Sequence, residues 1–166
     1  LITTGGEAVP KSESLIRFIR TTTTHIPADV TLTLTLEQRT RCRLRAMLDD
    51  GREAGLFLPR GTVLRHGDAL IAEGGLVARI IAAPEHLSRV ESADPLLLAR
   101  ACYHLGNRHV PLQIEPGRLS YRQDQVLDEM VRGLGLEVRL VNAGFEPESG
   151  AYGAQGADHS GHVHEH

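Results

Sequence analysis

The chain has 166 residues, 41% of them hydrophobic and 23% charged, which suffices for a buried core and leaves room for one domain or two small ones. A formal net charge of −3, with three Tyr, three Phe and no Trp, gives no reason to expect a nucleic-acid partner, which would want basic surface or stacking rings. Cys42 and Cys102 fit neither a disulfide framework nor a CxxC motif, nothing at the start reads as a leader, and no apolar run approaches the roughly 20 residues of a membrane helix. The expectation is a cytoplasmic protein with no membrane association.

Residues 1 to 14, ending in Pro10-Lys11-Ser12-Glu13-Ser14, are polar and read as a loose arm or edge segment. Val30 to Leu36 alternates Val-Thr-Leu-Thr-Leu-Thr-Leu, the period of a half-buried strand. Cys42, Leu44 and Ala46 then alternate with Arg41, Arg43 and Arg45, which predicts a second strand with a core side and a wet side; Arg39 belongs with the wet side. Asp49-Asp50-Gly51-Arg52 is a turn and Glu53 to Leu58 the returning strand. Pro59-Arg60-Gly61 breaks it, Val63-Leu64-Arg65 resumes, and His66-Gly67-Asp68 turns again. Ala69 to Ala72 and Leu76 to Ala82 are short strands around Gly74-Gly75. The pattern predicts an all-β domain over residues 1–85, a small barrel or sandwich with no helix before Ala83-Pro84.

After Pro84 the pattern changes. Val90-Glu91-Ser92 ends a strand, and Asp94-Pro95 offers a capping carboxylate followed by proline at the first helical position. Leu97, Leu98, Ala101, Cys102 and Leu105 form a stripe at helical spacing that Gly106 is placed to end. His109 to Ile114 is a strand candidate, Pro116-Gly117 a turn, and Arg118 to Arg122 another strand. Asp124 caps a second helix with the stripe Val126, Leu127, Met130, Val131 and Leu134, closed by Gly133 and Gly135; Leu136 to Val141 is the last strand. The order β-α-β-β-α-β is that of a ferredoxin-like α/β sandwich, assigned to residues 86–145 and joined to the first domain by a short linker near Ala82-Ala83-Pro84. Residues 146–166 are rich in glycine and polar side chains, too poor in apolar area to offset the entropy of ordering, and are expected to be mobile without metal.

Of nine histidines, four lie in the last eight residues: His159, His162, His164 and His166. Neutral imidazole suits nickel, zinc and copper, and histidines two and three residues apart on a glycine-rich segment can wrap one ion. His109 stands apart, at the exit of the first helix of the second domain. A site of useful affinity there needs further ligands, from His104, Cys102, the tail, or a second His109 in a symmetry mate; alternatively the ring only fixes its turn. Cys102 lies on the apolar stripe and reads as a small buried hydrophobe, almost opposite His104, so the two are poor joint ligands. Cys42 reads as core, and His25, His66 and His86 as turn or surface residues. No HExxH, GxSxG, GxxxxGK[ST] or strand-end GxGxxG occurs, so nothing marks an enzyme, although a metal on His109 acting as a Lewis acid is a third reading.

The sequence resembles UreE, the bacterial nickel-binding urease accessory protein family. The resemblance is carried by Gly106-Asn107-Arg108-His109-Val110-Pro111-Leu112-Gln113, Pro116-Gly117, Val126-Leu127-Asp128-Glu129-Met130 and Gly133-Leu134-Gly135-Leu136. Phe145-Glu146-Pro147-Glu148-Ser149-Gly150-Ala151-Tyr152-Gly153 and the histidine-bearing end extend it, as do Leu48-Asp49-Asp50-Gly51-Arg52-Glu53 and Leu58-Pro59-Arg60-Gly61 in the first domain. It implies a non-enzymatic homodimer with the two His109 side chains facing each other across Ni(II), and leaves open whether dimers pair further into a higher metal-bridged oligomer; Zn(II) or Cu(II) are the competing ions to test in vitro. It implies further that the tail histidines complete or feed this site, and that the first domain meets urease apoprotein and its accessory proteins, including a nickel-loading GTPase. Some relatives carry histidines where this chain has Gln123 and Gln125, so an additional site there is not expected. The alternative function is a histidine-tailed metal buffer or store without specific delivery.

Overall fold

The computed structural model describes residues 15–149. By its contacts the chain divides into two compact units, Leu1–Ile81 and Ala82–His166. Among the described residues no helix is long and apolar enough to cross a membrane.

The first unit contains β1 (Ile16–Thr22), β2 (Val30–Leu34), a single helical turn α1 (Leu36–Arg39), β3 (Arg43–Met47), β4 (Glu53–Phe57), β5 (Ala69–Ala72) and β6, which runs to the unit boundary (Val77–Ala82). The six strands form one sheet in the order β2-β6-β5-β1-β4-β3. Phe18, Leu32, Leu34, Leu56, Leu70 and Ile80 are buried in its core, each worth roughly 1.5–3 kcal/mol of removed apolar surface. Asp49, in the turn after β3, accepts hydrogen bonds from the hydroxyls of Thr31 and Thr33 on β2, and its own N–H donates to Thr31 O at 3.0 Å. The two outermost strands are thereby drawn together, and the sheet curls toward a barrel.

The observed elements correct the sequence reading in four places. β1, in a stretch to which no element is assigned above, pairs in parallel with β4 and antiparallel with β5 inside the sheet. The expected strand Val30 to Leu36 stops at Leu34, because Thr35 opens a helix where none was expected: its hydroxyl accepts from Gln38 N, and Gln38 Oε1 accepts from Thr35 N, a complete capping box. Arg39 is fully buried rather than on the wet side, with Nη1 donating to Leu64 O at 3.1 Å. Val63-Leu64-Arg65 is not a strand, although Leu64 is fully buried.

The second unit consists of β7 (Pro84–Glu91), α2 (Pro95–Gly106), β8 (Gln113–Glu115), β9 (Arg118–Arg122), α3 (Gln125–Gly133) and β10 (Val138–Gly144). Its four strands run antiparallel in the order β10-β7-β9-β8, the ferredoxin-like arrangement expected from the sequence. Both helices start as anticipated. Asp94 accepts from the N–H groups of Leu96 and Leu97, and Asp124 from those of Val126 and Leu127. The stripes of α2 and α3 meet Val90, Leu119 and Tyr121 of the sheet in one core, but Val126, expected on the stripe, is 74% exposed. Beneath α3 the Tyr121 hydroxyl donates to Asp128 Oδ1 at 2.8 Å, a buried polar pair tying helix to sheet. His86 lies on β7, exposed, a surface residue as expected.

Candidate functional site

α2 ends in a way its sequence does not announce. Gly106 remains helical; the left-handed residue that closes the turn is His109, with φ 57°, the non-glycine at positive φ among the described residues. His109 N–H donates to Gly106 O at 2.9 Å and Val110 N–H to Leu105 O at 3.3 Å. This 5→2 and 6→1 pair is a Schellman termination, in which glycine usually occupies the place His109 holds. Leu105 and Val110, the two positions whose side chains usually meet in this motif, both belong to the domain core. Arg108 Nη1 donates back to His104 O at 3.0 Å, satisfying a carbonyl at the helix end. The His109 ring is thus set on a well-bonded turn while remaining exposed to solvent.

This geometry also moves the expected strand. His109 to Ile114 does not form one strand, because His109 is left-handed and Pro111 has no N–H to give a ladder; β8 begins at Gln113.

The other candidates sort by environment. Cys102 is packed against the core, and burial pushes its thiol above the ordinary value. His104 is half-buried with its ring edge-on to Tyr103 at 5.3 Å. Gln125 Nε2 donates to Glu129 Oε1 at 3.2 Å, and the Gln123 N–H to His86 O at 3.1 Å. Among the described residues no group of three or more His, Cys, Asp and Glu side chains is close enough to hold one metal ion. His159, His162, His164 and His166 lie outside the described residues.

Sequence reasoning passed over the polar group next to the turn. Arg118 Nε and Nη2 grip the Glu115 carboxylate at 2.8 and 2.6 Å, and this hydrogen bonding holds Glu115 below its usual pKa. Glu115 Oε2 in turn accepts from Gln113 Nε2 at 3.2 Å. The only signal in the sequence was the spacing of Gln113, Glu115 and Arg118 across the Pro116-Gly117 turn, which puts them on one face of a hairpin.

A β domain followed by a ferredoxin-like domain that displays the His109 imidazole on the turn ending its first helix defines a two-domain protein with a potential metal ligand at a helix end. The chain belongs to the UreE urease accessory protein family. The model of the UreE amino-terminal domain matches residues 13–83, and that of the carboxy-terminal domain residues 85–166. A urease accessory protein UreE of Aliivibrio fischeri (strain MJ11) is 56% identical over 142 residues, covering 85% of this chain and 87% of the relative. Proteins of the same description from Pseudomonas putida (strain W619) and Proteus mirabilis (strain HI4320) are each 60% identical, covering 78% and 75% of this chain and 80% and 77% of the relatives.

Proposed function

We propose that the protein is a nickel metallochaperone of the cytoplasm. It binds Ni(II) through His109 together with His109 of a second copy, takes further ligands from His159, His162, His164 and His166, and delivers the ion for assembly of the urease active site. In this reading residues 1–85 are the partner-binding domain, 86–145 the metal-binding and dimerisation domain, and 146–166 the histidine-bearing tail. Urease apoprotein and its accessory proteins, including a nickel-loading GTPase, are the partners. Zn(II) and Cu(II) enter the same imidazole site in vitro.

The observation that carries this reading is His109 itself. An exposed imidazole occupies a left-handed helix-terminating position that glycine would fill without strain. One donor does not hold an ion tightly, and among the described residues no group of three or more His, Cys, Asp and Glu could supply the rest, so this reading draws its further ligands from a second copy and from the tail. A set of that kind exchanges stepwise, as a carrier requires, because no ligand cage has to open. An exposed cargo site of this sort also leaves selectivity to the acceptor complex.

The test is nickel titration of the intact protein, of His109→Gly and of a version ending at Ser149, with sedimentation to count subunits. Glycine suits the turn, so a lost site in that variant reports on the imidazole alone. Loss of the tightest site in His109→Gly, with mainly lowered capacity on truncation, is the expected result. Tight binding retained without His109 would leave the buffer or store as the surviving function.

A further inference from the structure

In the sheet of the first unit β1, β4 and β3 lie side by side. Arg17, Gly55 and Arg45 stand in one row across these strands, and Phe57 and Arg43 share the next. Phe18, Leu56 and Leu44, one residue out of step, pack into the core, so both rows are on the face turned away from it. No positive φ calls for glycine at Gly55; the requirement is space. A Cβ there would lie 2.8 Å from Phe57 Cε2 and 3.1 Å from Leu15 Cδ2, so the ring and the leucine rest on bare backbone. They line an open groove of about 450 Å³ whose walls also include Arg43 and Arg45.

The charges around this groove suit a carboxylate. The guanidinium carbon of Arg17 lies over the Phe57 ring, 4.4 Å from its centroid, and that of Arg43 lies at 5.6 Å. A guanidinium packed on a ring keeps the N–H donors in its plane available to an anion. Arg17 meets Glu73 at 3.4 Å and Arg45 meets Glu53 at 2.6 Å, all four side chains being at least half exposed. Ion pairs so exposed are weak, and an incoming carboxylate can take them over. Arg43 has no ion pair among the described residues, which leaves three guanidiniums against two carboxylates, a surplus of one positive charge.

We propose that this face is a docking site for an acidic segment of a partner protein. Carboxylates of the segment pair with Arg43 and with the ring-stacked Arg17, and an apolar side chain between them lies in the groove against Leu15 and Phe57. In naming the partner's chemistry, this rests on the reading of residues 1–85 as the partner-binding domain. A second copy of the chain does not fit, because two such faces would bring surplus positive charge together. A nucleic acid fits poorly, because the surplus is a single charge on a chain whose formal total is −3.

The experiment is fluorescence polarisation on the full chain with the labelled peptide Glu-Asp-Phe-Glu-Leu-Asp-Glu. One control peptide has Ser for Phe and Leu, the other Gln and Asn for the acids. The variants are Arg43→Gln, at an exposed side chain with no ion pair to lose, and Phe57→Leu, which keeps the groove apolar but removes the ring under both guanidiniums. Expected is a Kd of about 10–100 μM for the first peptide, with either control about fivefold weaker or worse. Arg43→Gln should lose about five- to tenfold and Phe57→Leu about three- to fivefold, and salt raised from about 0.05 to about 0.5 M should weaken binding further. Thermal melting of Arg43→Gln should match the parent. Unchanged affinity in Arg43→Gln would overturn the site. Equal binding of the Ser-bearing peptide, or of an oligothymidylate of the same charge, would reduce it to general anion attraction and overturn it too. So would a changed subunit number of Arg43→Gln in sedimentation, which would make the face an interface between copies, or binding confined to a version beginning at Glu13, which would make the chain's own first residues the occupant. If the peptide binds as expected but does not compete with the urease accessory proteins, the groove stands and the assignment of residues 1–85 to those partners fails.

Discussion

At the scale of one residue, His109 carries a backbone cost. A side chain at left-handed φ costs on the order of 1 kcal/mol against glycine, and more where the Cβ is branched. His109→Gly is therefore expected to raise stability by about 1 kcal/mol and His109→Val to lower it by about 1–2 kcal/mol. Urea unfolding of the three proteins measures both. A stability order with glycine below histidine would mean that the ring contributes contacts that outweigh its backbone strain. The sequence singled out His109 but placed the helix stop at Gly106, because glycine is the usual left-handed residue and nothing local says that histidine takes the role. Arg39 was misplaced for a similar reason: alternation counted through Arg39, Arg41, Arg43 and Arg45 ignores the helical turn that ends at Arg39 and turns its side chain inward.

At the scale of elements, long periodic segments were legible and short or interrupted ones were not. α2 and α3 each showed an aspartate cap and an apolar stripe, and both formed. β1 was passed over because its pairing with β5 shifts register between Phe18 and Arg20, and an irregularity of that kind breaks the period of two on which strand reading depends. α1 is four residues long, too short for any periodicity, although Thr35-Leu36-Glu37-Gln38 carries the capping-box signature and would have disclosed it. The contact that locks α3 to β9 likewise needs the fold to be seen, since Tyr121 and Asp128 sit on different elements.

That lock makes a prediction with a definite pH direction. Burial first, then the hydrogen bond to Asp128, pushes the Tyr121 phenol far above its ordinary pKa of 10.0. The folded protein thus holds the phenolic proton more tightly than the unfolded chain. The stability this confers is complete below about pH 10 and falls as pH rises further, by about 1.4 kcal/mol per unit for the one proton. Tyr121→Phe should lose roughly 1–3 kcal/mol at neutral pH, because a buried carboxylate oxygen loses its donor, and should lack Tyr121's share of the alkaline decline. Denaturant unfolding at pH 9 and above separates the two effects. An alkaline slope identical in both proteins would place that proton elsewhere.

At the scale of the whole molecule, the two units differ in charge and in what they lack. Residues 15–81 carry ten Arg against seven Asp and Glu, whereas residues 82–149 carry seven Arg against ten. The formal total of −3 hides this opposition, which gives the two domains different electrostatic preferences for partners. Among the described residues no group of three or more His, Cys, Asp and Glu side chains could hold one ion, so a tight site on His109 calls for ligands from elsewhere. If the missing imidazole is His109 of a second copy, binding must respond to the composition of the dimer. Mixing equal amounts of the native chain and His109→Gly, with full subunit exchange, leaves both imidazoles in about a quarter of the pairs, because partners combine at random across a two-fold interface. The count of tight nickel sites should then drop to about a quarter of that in the same amount of native dimer, whereas a site built within one chain would drop only to about half. Titration of the exchanged mixture distinguishes the two. A value of one half would move the central ligand set inside a single chain, with the tail histidines as its remaining members.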